Sequence, residues 1–448
     1  MSIDLYSIYL SDYMDNVYKW LEDQGIKYIA LNGYVAIRYT IRISNNRIDL
    51  VKDSVDQMIK VVLSNGYNVM TSVIKGLYED YKSVLENVVK TVKSSKRGIK
   101  YTPPSNKIEL YDVYPGGYDP SVFNVNASID YITHFMDDLS EIFERVSGSI
   151  SIKGIKHIIK TSYGREGEYK LTSVLLNLRG FKDEGFTYTL NRAATSLSKL
   201  NYDSLLEEAR EYASINYNVE HVEESVHKVI FTPLAFSNIL HYLGTLLSGY
   251  SIYSGYSPFI DLLGEEISSK PINIYDDPKE EGNPYPSLFD EEGIERRRVY
   301  LVKDGVLSSY ILNILYRGVF KQESTGHAGP EYPYPYTLIL DGEHMDVNDL
   351  FNEVKEGILV TNIWNTSFAN IREGTFSSTQ RDIGFYIRKG SIRGCFIGAR
   401  LNMNIIDVFR NLIGLAGERV WVKPWDTDLY TKSNLVGVDN IRVTTGFL

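Results

Sequence analysis

The ten residues YVAIRYTIRI (34–43) decide the fold of the first half of the chain. Small or polar residues alternate there with five larger, mostly apolar ones, which are Val35, Ile37, Tyr39, Ile41 and Ile43. Because the side chains of a strand point alternately to its two faces, this period predicts a β-strand with one wet face. The residues that follow, SNNR (44–47), predict a turn.

The segments on both sides of this strand predict a sheet flanked by helices. Residues 4–25, DLYSIYLSDYMDNVYKWLEDQG, carry apolar residues at helical spacing and end at a glycine, so they predict an amphipathic helix. After the turn, IDLVKD and QMIKVVL predict two further strands. An apolar face between Leu77 and Val92 predicts a second helix. The order is therefore helix, antiparallel strands, helix.

The residues from about 100 to 220 continue this alternation of elements. YTPPSNK (101–107) and YPGGYDPS (114–121) are rich in proline and glycine and predict breaks. Helical periodicity at 127–146 and 202–217 predicts two more helices. The segment between them, 147–181, predicts two or three strands.

The second half of the chain is richer in strand and turn signals. RRRVYLVKDGVLSSYIL, with an Asp-Gly turn at 304–305, and DIGFYIRKGSIRGCFIG are examples. Because 448 residues exceed the length at which one core stops growing, we expect two domains. We predict an α+β fold, with an N-terminal α/β domain at 1–224 in which helices flank an antiparallel sheet. A C-terminal domain at 225–448 is predicted to be β-rich, with a mixed, barrel-like sheet.

Composition excludes several classes of protein. Hydrophobic residues make up 43% and charged residues 23% of the chain, as in an ordinary soluble globular protein. No run approaches the roughly 20 apolar residues that span a bilayer, and the first residues do not resemble a signal peptide, so we expect a cytoplasmic protein without a membrane partner. A net charge of −10 argues against nucleic acid as a main partner. The single cysteine, Cys395, excludes an internal disulfide and a zinc site built from several thiolates.

One histidine lies inside an apolar helical pattern, NILHYLGTLLSGYSIYS (238–254). A helical projection places His241 on an arc of polar residues, opposite a stripe of leucine, isoleucine and phenylalanine. A zinc hydrolase site on a helix needs two imidazoles and a neighbouring carboxylate. Here Tyr242 is the neighbour, and Leu246 stands where a second ligand would be. The residues alone therefore favour a partly exposed polar histidine.

Several longer stretches resemble the TldD/PmbA family of modulators and metalloproteases. STGHAG (324–329) is similar to the short signature of the PmbA branch, which is also called TldE. The other matching stretches are FDEEGIERRRVYLVKDGVLSSYIL (289–312), INIYDDP (272–278), EVKEGILVTN (353–362) and GSIRGCFIGARLNMNIIDVFRNLIGLAG (390–417). The resemblance covers nearly the whole chain and is strongest from about residue 225 onward.

The resemblance also implies where a metal would be bound. The TldD branch carries a His-Glu-x-x-x-His motif after a strand and a proline. With VIFTP (229–233) aligned there, His241 takes the first histidine, Tyr242 the glutamate and Leu246 the second histidine. The family's third ligand, a late cysteine, has no counterpart in ERVWVKPWDTDLYTKSNL (418–435), and Cys395 lies in an earlier stretch. The resemblance therefore implies a chain that holds no metal or cofactor, with zinc expected in a partner subunit.

Three hypotheses on function follow. By resemblance, the chain is a non-catalytic subunit that forms a heterodimer with a TldD-like zinc peptidase and helps to degrade or trim unstructured peptides. The second hypothesis is a stand-alone homodimeric peptide-binding protein without peptidase activity. The third is an enzyme with relocated ligands, for instance His327 or His344 with nearby carboxylates, which the spacing supports weakly.

Two segments of the chain, STGHAG (324–329) and the helix around His241, are predicted to line one enclosed peptide groove. Main-chain pairing to a sheet edge holds an extended peptide without demanding a particular sequence. The candidate groove residues are His241, Tyr242, Ser324, Thr325, Gly326, His327 and Gly329. Glycines there would allow close backbone approach, and the polar side chains would offer hydrogen bonds. The alternative for STGHAG is a tight loop whose glycines adopt unusual backbone angles.

Overall fold

The strands of the N-terminal half form one sheet. A computed structural model describes residues 3–77, 80–105, 107–111, 117–182, 185–215, 218–329 and 331–445. The strands of this sheet are β1 (Tyr28–Ser44), β2 (Arg47–Ser64), β3 (Met70–Lys75), β4 (Ile108–Tyr111), β5 (Arg145–Thr161), β6 (Arg165–Lys182) and β7 (Phe186–Ala194). Their order is β3-β2-β1-β5-β6-β4, with β7 also paired to β6. All pairs are antiparallel except β4 with β6.

Helices pack on this sheet through apolar stripes that the sequence carries. They are α1 (Ile3–Asp23), α2 (Tyr81–Ser94), α3 (Val125–Ile142) and α4 (Tyr202–Ser214), with 3₁₀ turns at Pro120–Phe123 and Leu197–Lys199. Leu10, Met14, Val17 and Leu21 of α1 are buried at helical spacing against the sheet. Asp80 caps α2 by accepting a hydrogen bond from the backbone N–H of Lys82. The order of helix, strands and helix is the predicted one.

Some predicted limits of elements differ from the structure. IDLVKD and QMIKVVL were expected to be two strands, but they are one continuous strand, β2, because β1 pairs with nearly its whole length. The segment 147–181 contains two long strands, β5 and β6. The fourth helix ends at Ser214, and residues 216–217 of its predicted range lie outside the described residues. The same holds for residues 114–116 of the predicted YPGGYDPS break.

The strands of the C-terminal half form a second, mixed sheet. They are β8 (Val219–His221), β9 (Ser225–Phe231), β10 (Asn273–Asp276), β11 (Val299–Lys303), β12 (Val306–Leu307), β13 (Thr337–Asp341), β14 (His344–Met345), β15 (Glu356–Val360), β16 (Ile363–Asn370), β17 (Thr375–Gln380), β18 (Gly384–Arg388), β19 (Ser391–Ile397), β20 (Ala399–Asn404), β21 (Leu412–Val422) and β22 (Tyr430–Thr445). Its main path runs β12-β11-β10-β13-β22-β9-β15-β18-β19-β8. Parallel pairs such as β9 with β15 and β13 with β22 make the sheet mixed.

The helices of this half are short apart from the one that carries His241. They are α5 (Pro233–Leu246), α6 (Gly249–Tyr253), α7 (Ile314–Phe320), α8 (Val347–Val354) and α9 (Ile405–Arg410). Thr232 caps α5, and Pro233 occupies its first turn, where a missing N–H costs nothing. None of the helices within the described residues is both long enough and apolar enough to cross a membrane.

The fold is α+β, as predicted, and its two halves pack closely together. One cluster of buried apolar residues contains Leu178 and Leu190 from the first sheet and Leu359 and Phe385 from the second. Asn191 of β7 also exchanges two hydrogen bonds with the backbone of Lys423, which follows β21. The chain passes from the first sheet to the second between β7 and β8. The domain limits 1–224 and 225–448 stay a prediction.

Candidate functional site

A cavity of about 640 Å³ lies where the first sheet meets the second half of the chain. Its floor comes from β1, β2, β5 and β6, which contribute Tyr34, Lys60, Lys153 and Ser173. Its walls come from α5, from Gly329 and from the segments 331–336 and 423–430. Volumes of this size are typical of small-molecule or peptide-end pockets. We therefore take this cavity as the candidate site.

His241 lies on the wall of this cavity, and its imidazole Nδ1 is 3.0 Å from the Tyr334 hydroxyl. Burial lowers the pKa of His241 to about 4, so the imidazole is neutral at pH 7. The polar arc of α5 is only partly accessible. Ser237 and Asn238 are fully buried and bond to backbone carbonyls, whereas His241, Tyr242 and Thr245 are half-buried.

The two positions that the resemblance pairs with His241 do not fit a metal. The Tyr242 hydroxyl donates to the Thr366 carbonyl, and its ring packs on Phe368 with centroids 4.5 Å apart. Leu246 is completely buried in the apolar core. Neither residue lines the cavity that His241 faces. Across the part of the chain that the structure describes, no group of three or more His, Cys, Asp or Glu residues is arranged to hold a metal ion.

The STGHAG loop is buried behind the cavity wall. The hydroxyls of Ser324 and Thr325 both lie within hydrogen-bond distance of the Leu312 carbonyl. His327 Nδ1 is 3.0 Å from Thr325 Oγ1, and the ring is completely buried. Gly326 has a φ of +73°, which favours glycine, and Gly329 alone of these loop residues lines the cavity. The polar groups predicted to face a peptide are thus turned toward the interior.

Asp276 organises the residues around this loop. Its Oδ2 accepts hydrogen bonds from the backbone N–H groups of Tyr336 and Thr337, at 2.8 and 3.0 Å, and lies 3.2 Å from His327 Nε2. Its Oδ1 forms an ion pair with the fully buried Arg296. Burial raises the pKa of Asp276, but Arg296 and His327 together lower it by more than burial raises it. The pKa is therefore below its ordinary value, and the carboxyl stays ionised. This network positions Tyr336, whose ring lies on the cavity wall.

The FDEEG turn connects the loop to the cavity. Asp290 accepts hydrogen bonds from the backbone N–H groups of Glu292, Ile294 and Ala328, and the last of these belongs to STGHAG. Glu291 lines the cavity, where its Oε1 is 2.5 Å from Lys60 Nζ. Its Oε2 is buried and has no hydrogen-bond partner among the described residues. Burial raises the pKa of Glu291, and Lys60 opposes that shift.

Most residues of the cavity were not among the predicted groove residues. Lys60, Lys153, Glu291, Tyr334 and Lys423 come from five separate segments. The sequence analysis singled out FDEEG only as part of a stretch that resembles the family. No spacing rule connects such distant positions, since tertiary packing alone brings them together. The structure places His241 and Gly329 on the cavity wall.

Comparison with known proteins places this architecture in a family. Residues 224–444 match the PmbA/TldA metallopeptidase C-terminal domain. The chain belongs to the PmbA/TldD family. The match to the PmbA/TldD domain includes α5 and the STGHAG loop, so the sequence-based resemblance is confirmed.

Curated relatives match over part of their length. Metalloprotease PmbA of Escherichia coli is 21% identical over 286 residues, which are 64% of this chain and 59% of that protein. A PmbA homologue of Buchnera aphidicola is 22% identical over 52% of this chain and 50% of its own length. This chain therefore spans between half and three-fifths of the length of these two PmbA relatives. A zinc metalloprotease TldD homologue of Saccharolobus solfataricus matches 30% of this chain at 28% identity.

Solved structures share the fold over nearly the whole chain. TldE of Thermococcus kodakarensis superposes with a TM-score of 0.78 and 17% identity, covering 96% of this chain and 100% of that one. A proposed DNA gyrase modulator of Thermotoga maritima, TM0727, gives the same TM-score at 18% identity and covers 97% of this chain and 100% of its own. At these identities the likeness establishes the fold.

Proposed function

We propose that this PmbA/TldD family member is a non-catalytic, cytoplasmic subunit of the TldE kind. It would form a heterodimer with a TldD-type zinc metallopeptidase in the degradation or trimming of unstructured peptides. The observation that carries the proposal is the pair of positions beside His241. Tyr242 bonds a backbone carbonyl, and Leu246 is completely buried, so α5 offers one imidazole where a zinc site needs several ligands.

The cavity supports a role in holding peptide. Tyrosines at 34, 334 and 336 give it flat, apolar walls with hydroxyl groups at their ends. Glu291 Oε2 is buried there with no hydrogen-bond partner in the described part of the chain, and an unpaired buried acceptor gains free energy when a ligand N–H reaches it. The neutral imidazole of His241 can also exchange a hydrogen bond with a peptide group. These groups suit the main chain of a peptide better than a particular side chain.

The experiment that tests this proposal mixes purified chains. Four samples contain this chain alone, a TldD-type chain from the same organism alone, both together, and both with the glutamate of the partner's His-Glu-x-x-x-His motif changed to glutamine. Cleavage of a flexible fluorogenic peptide is measured in each. We expect substantial cleavage only in the third sample, because the base and the metal ligands are supplied by the partner.

The metal content of this chain, purified without a metal-binding tag, is measured beside it. We expect a value near zero zinc per chain. Cleavage by this chain alone, or a zinc content close to one ion per chain, would contradict the proposal. Peptide binding with no gain in cleavage on mixing would favour the stand-alone homodimeric binding protein instead.

A further inference from the structure

Positive charge is concentrated at the floor of the cavity, where Lys153 lines the cavity and Arg38 lies beside it on the same face of the sheet, just outside the lining. In the strand register Arg38 of β1 lies directly opposite Lys153 of β5, and Lys153 lies directly opposite Ser173 of β6. Directly opposite residues project from the same face of a sheet, with Cβ atoms about 5 Å apart. Lys423 approaches the same place from the other half of the chain and also lines the cavity. Like charges placed in this way destabilise a sheet.

Two of these three positive charges, on Arg38 and Lys153, have no ion-pair partner among the described residues, and the third, on Lys423, is paired with an exposed carboxylate. Among the residues that the structure describes, neither Arg38 nor Lys153 forms a salt bridge, and the buried Arg38 Nε has no hydrogen-bond partner. Lys423 Nζ bonds the Thr427 carbonyl and lies 3.6 Å from a carboxylate oxygen of Asp428, whose side chain is fully exposed. Burial, Arg38 and Lys423 lower the pKa of Lys153 to about 8, against the opposing effect of Asp428.

The acidic groups of the cavity are placed differently. Glu291 is buried but is already paired with Lys60. Glu331, Asp426 and Asp428 are solvent-exposed residues at the cavity's edge. The charge thus changes from positive at the floor to negative at the mouth. A ligand whose anionic end enters first would complement both regions.

We propose that Arg38, Lys153 and Lys423 bind a carboxylate group of a peptide at the floor of this cavity. The ligand being a peptide rests on the function proposed above, whereas the charge pattern is a property of this chain alone. Ser173 Oγ and the Tyr430 hydroxyl, 3.1 Å apart and both on the cavity lining, provide neutral donors beside the cations. Together these groups can supply donors to both oxygens of one carboxylate.

The carboxylate has two possible sources, a free C-terminus or an acidic side chain, and three probe peptides distinguish them. Each is an N-acetylated, unstructured hexapeptide of alanine, glycine and serine. The first ends in a free carboxylate, the second in an amide, and the third in an amide with one residue changed to glutamate. Affinity for the full-length chain is measured by isothermal titration calorimetry. We expect at least one carboxylate-bearing peptide to bind about tenfold or more tightly than the neutral amide, as a charge-assisted contact provides.

Four variants test which residues carry this preference. Lys153→Met and Arg38→Gln should each reduce it at least about threefold, and Lys153→Arg should keep it because the charge remains. The matched control is Lys52→Met, which removes one positive charge from an exposed position of β2 in the same sheet. Lys52→Met should keep the preference of the unchanged chain for carboxylate-bearing peptides. Circular dichroism and thermal unfolding of every variant establish that each one is folded.

The proposal is overturned if neither carboxylate-bearing peptide binds more tightly than the neutral amide, including the case in which none of the three binds at millimolar concentration. A preference that survives in folded Lys153→Met would overturn it as well. Because these measurements use this chain alone, they do not depend on a partner subunit. If the mixed chains cleave peptide but this chain shows no preference for a carboxylate, only the proposed carboxylate subsite is contradicted. If this chain prefers a carboxylate but the mixed chains do not cleave peptide, only the proposed pairing with a TldD-type subunit is contradicted.

Discussion

Two histidines of this chain lie in regions of opposite character. His327 is fully buried in the STGHAG loop, 3.0 Å from Thr325 Oγ1 and 3.2 Å from Asp276 Oδ2. His241 faces the cavity, and its imidazole has one hydrogen-bond contact among the described residues, with Tyr334. Both were candidate groove residues in the sequence. The first belongs to a network that holds the fold together, and the second to a surface that a ligand can reach.

The difference teaches how a family motif should be interpreted. The polar groups of the STGHAG loop in this chain bond to each other and to Leu312. Groups that bind a ligand must instead keep unused hydrogen-bonding capacity or charge. In this cavity such groups are Glu291 Oε2 and Lys153. For His241 and His327, access to the cavity therefore distinguishes the two regions better than membership of a motif does.

The largest loss of stability is expected from a substitution at Asp276. Asp276→Ala should lower the free energy of unfolding by about 3–5 kcal/mol, because it leaves the charge of Arg296 buried without its carboxylate and removes the acceptor of two backbone N–H groups. Chemical denaturation measures the change. Asp428→Ala, on a fully exposed side chain, is the control and should change stability little. Equal effects of the two substitutions would mean that the network does not stabilise the fold.

The second prediction concerns the pH dependence of the same region. Burial raises the pKa of Glu292 to about 8, above its ordinary value of 4.5, so the folded state binds the extra proton. Stability should therefore fall as pH rises from about 5 to 8, by about 3–4 kcal/mol. Glu292→Gln should flatten this dependence, whereas Glu331→Gln at the exposed cavity edge should not. Denaturation at a series of pH values would contradict the idea if the two variants behaved alike.

The third prediction compares the two histidines directly. His327→Ala should cost about 1–3 kcal/mol of stability, since it leaves buried partners unsatisfied, and His241→Ala should cost less than about 1 kcal/mol. Peptide affinity should respond in the opposite order, with the larger loss in His241→Ala. Thermal unfolding and calorimetry on both variants test this. If His241→Ala were the more destabilising change, the distinction between the two regions would be wrong.

The smallest expected change in stability is at Lys153, where a substitution should stabilise the fold. Lys153→Met should raise the free energy of unfolding by a few tenths of a kcal/mol, because it removes a positive charge placed opposite Arg38 while keeping most of the apolar stem. Lys52→Met, at an exposed position, should be neutral within about 0.5 kcal/mol. A marked loss of stability in Lys153→Met would indicate that the lysine supports the sheet instead of a ligand.

Local patterns in the sequence were enough to predict much of the fold. The alternation at 34–43 gives the central strand β1, and Leu10, Met14, Val17 and Leu21 give the buried stripe of α1. The limits of β2 could not be predicted, because its exposed, charged middle reads as a break until β1 is seen pairing along it. Strand pairing adds backbone hydrogen bonds that do not depend on the side chains, so it extends a strand past residues that favour a turn.

The candidate site was predicted less completely, and the reason is physical. The sequence established that Tyr242 and Leu246 stand where the family's metal motif has other residues, since that depends on chemical identity alone. It could not establish that part of the polar arc of α5 is covered, because a helical projection shows which residues share a face but not what packs on it. It also gave no sign that Arg38 and Lys153, far apart in the chain, are cross-strand neighbours.

The sequence by itself determined the elements, the family and the ligand-poor character of α5, because each depends on which residues are present and on short-range spacing. Only the tertiary structure decided which histidine reaches the cavity and which is locked in the interior. It also decided where uncompensated charge accumulates. Tyr34, Lys153, His241 and Lys423 become neighbours only because the two sheets pack against each other, and that packing sets their burial and hydrogen-bond partners.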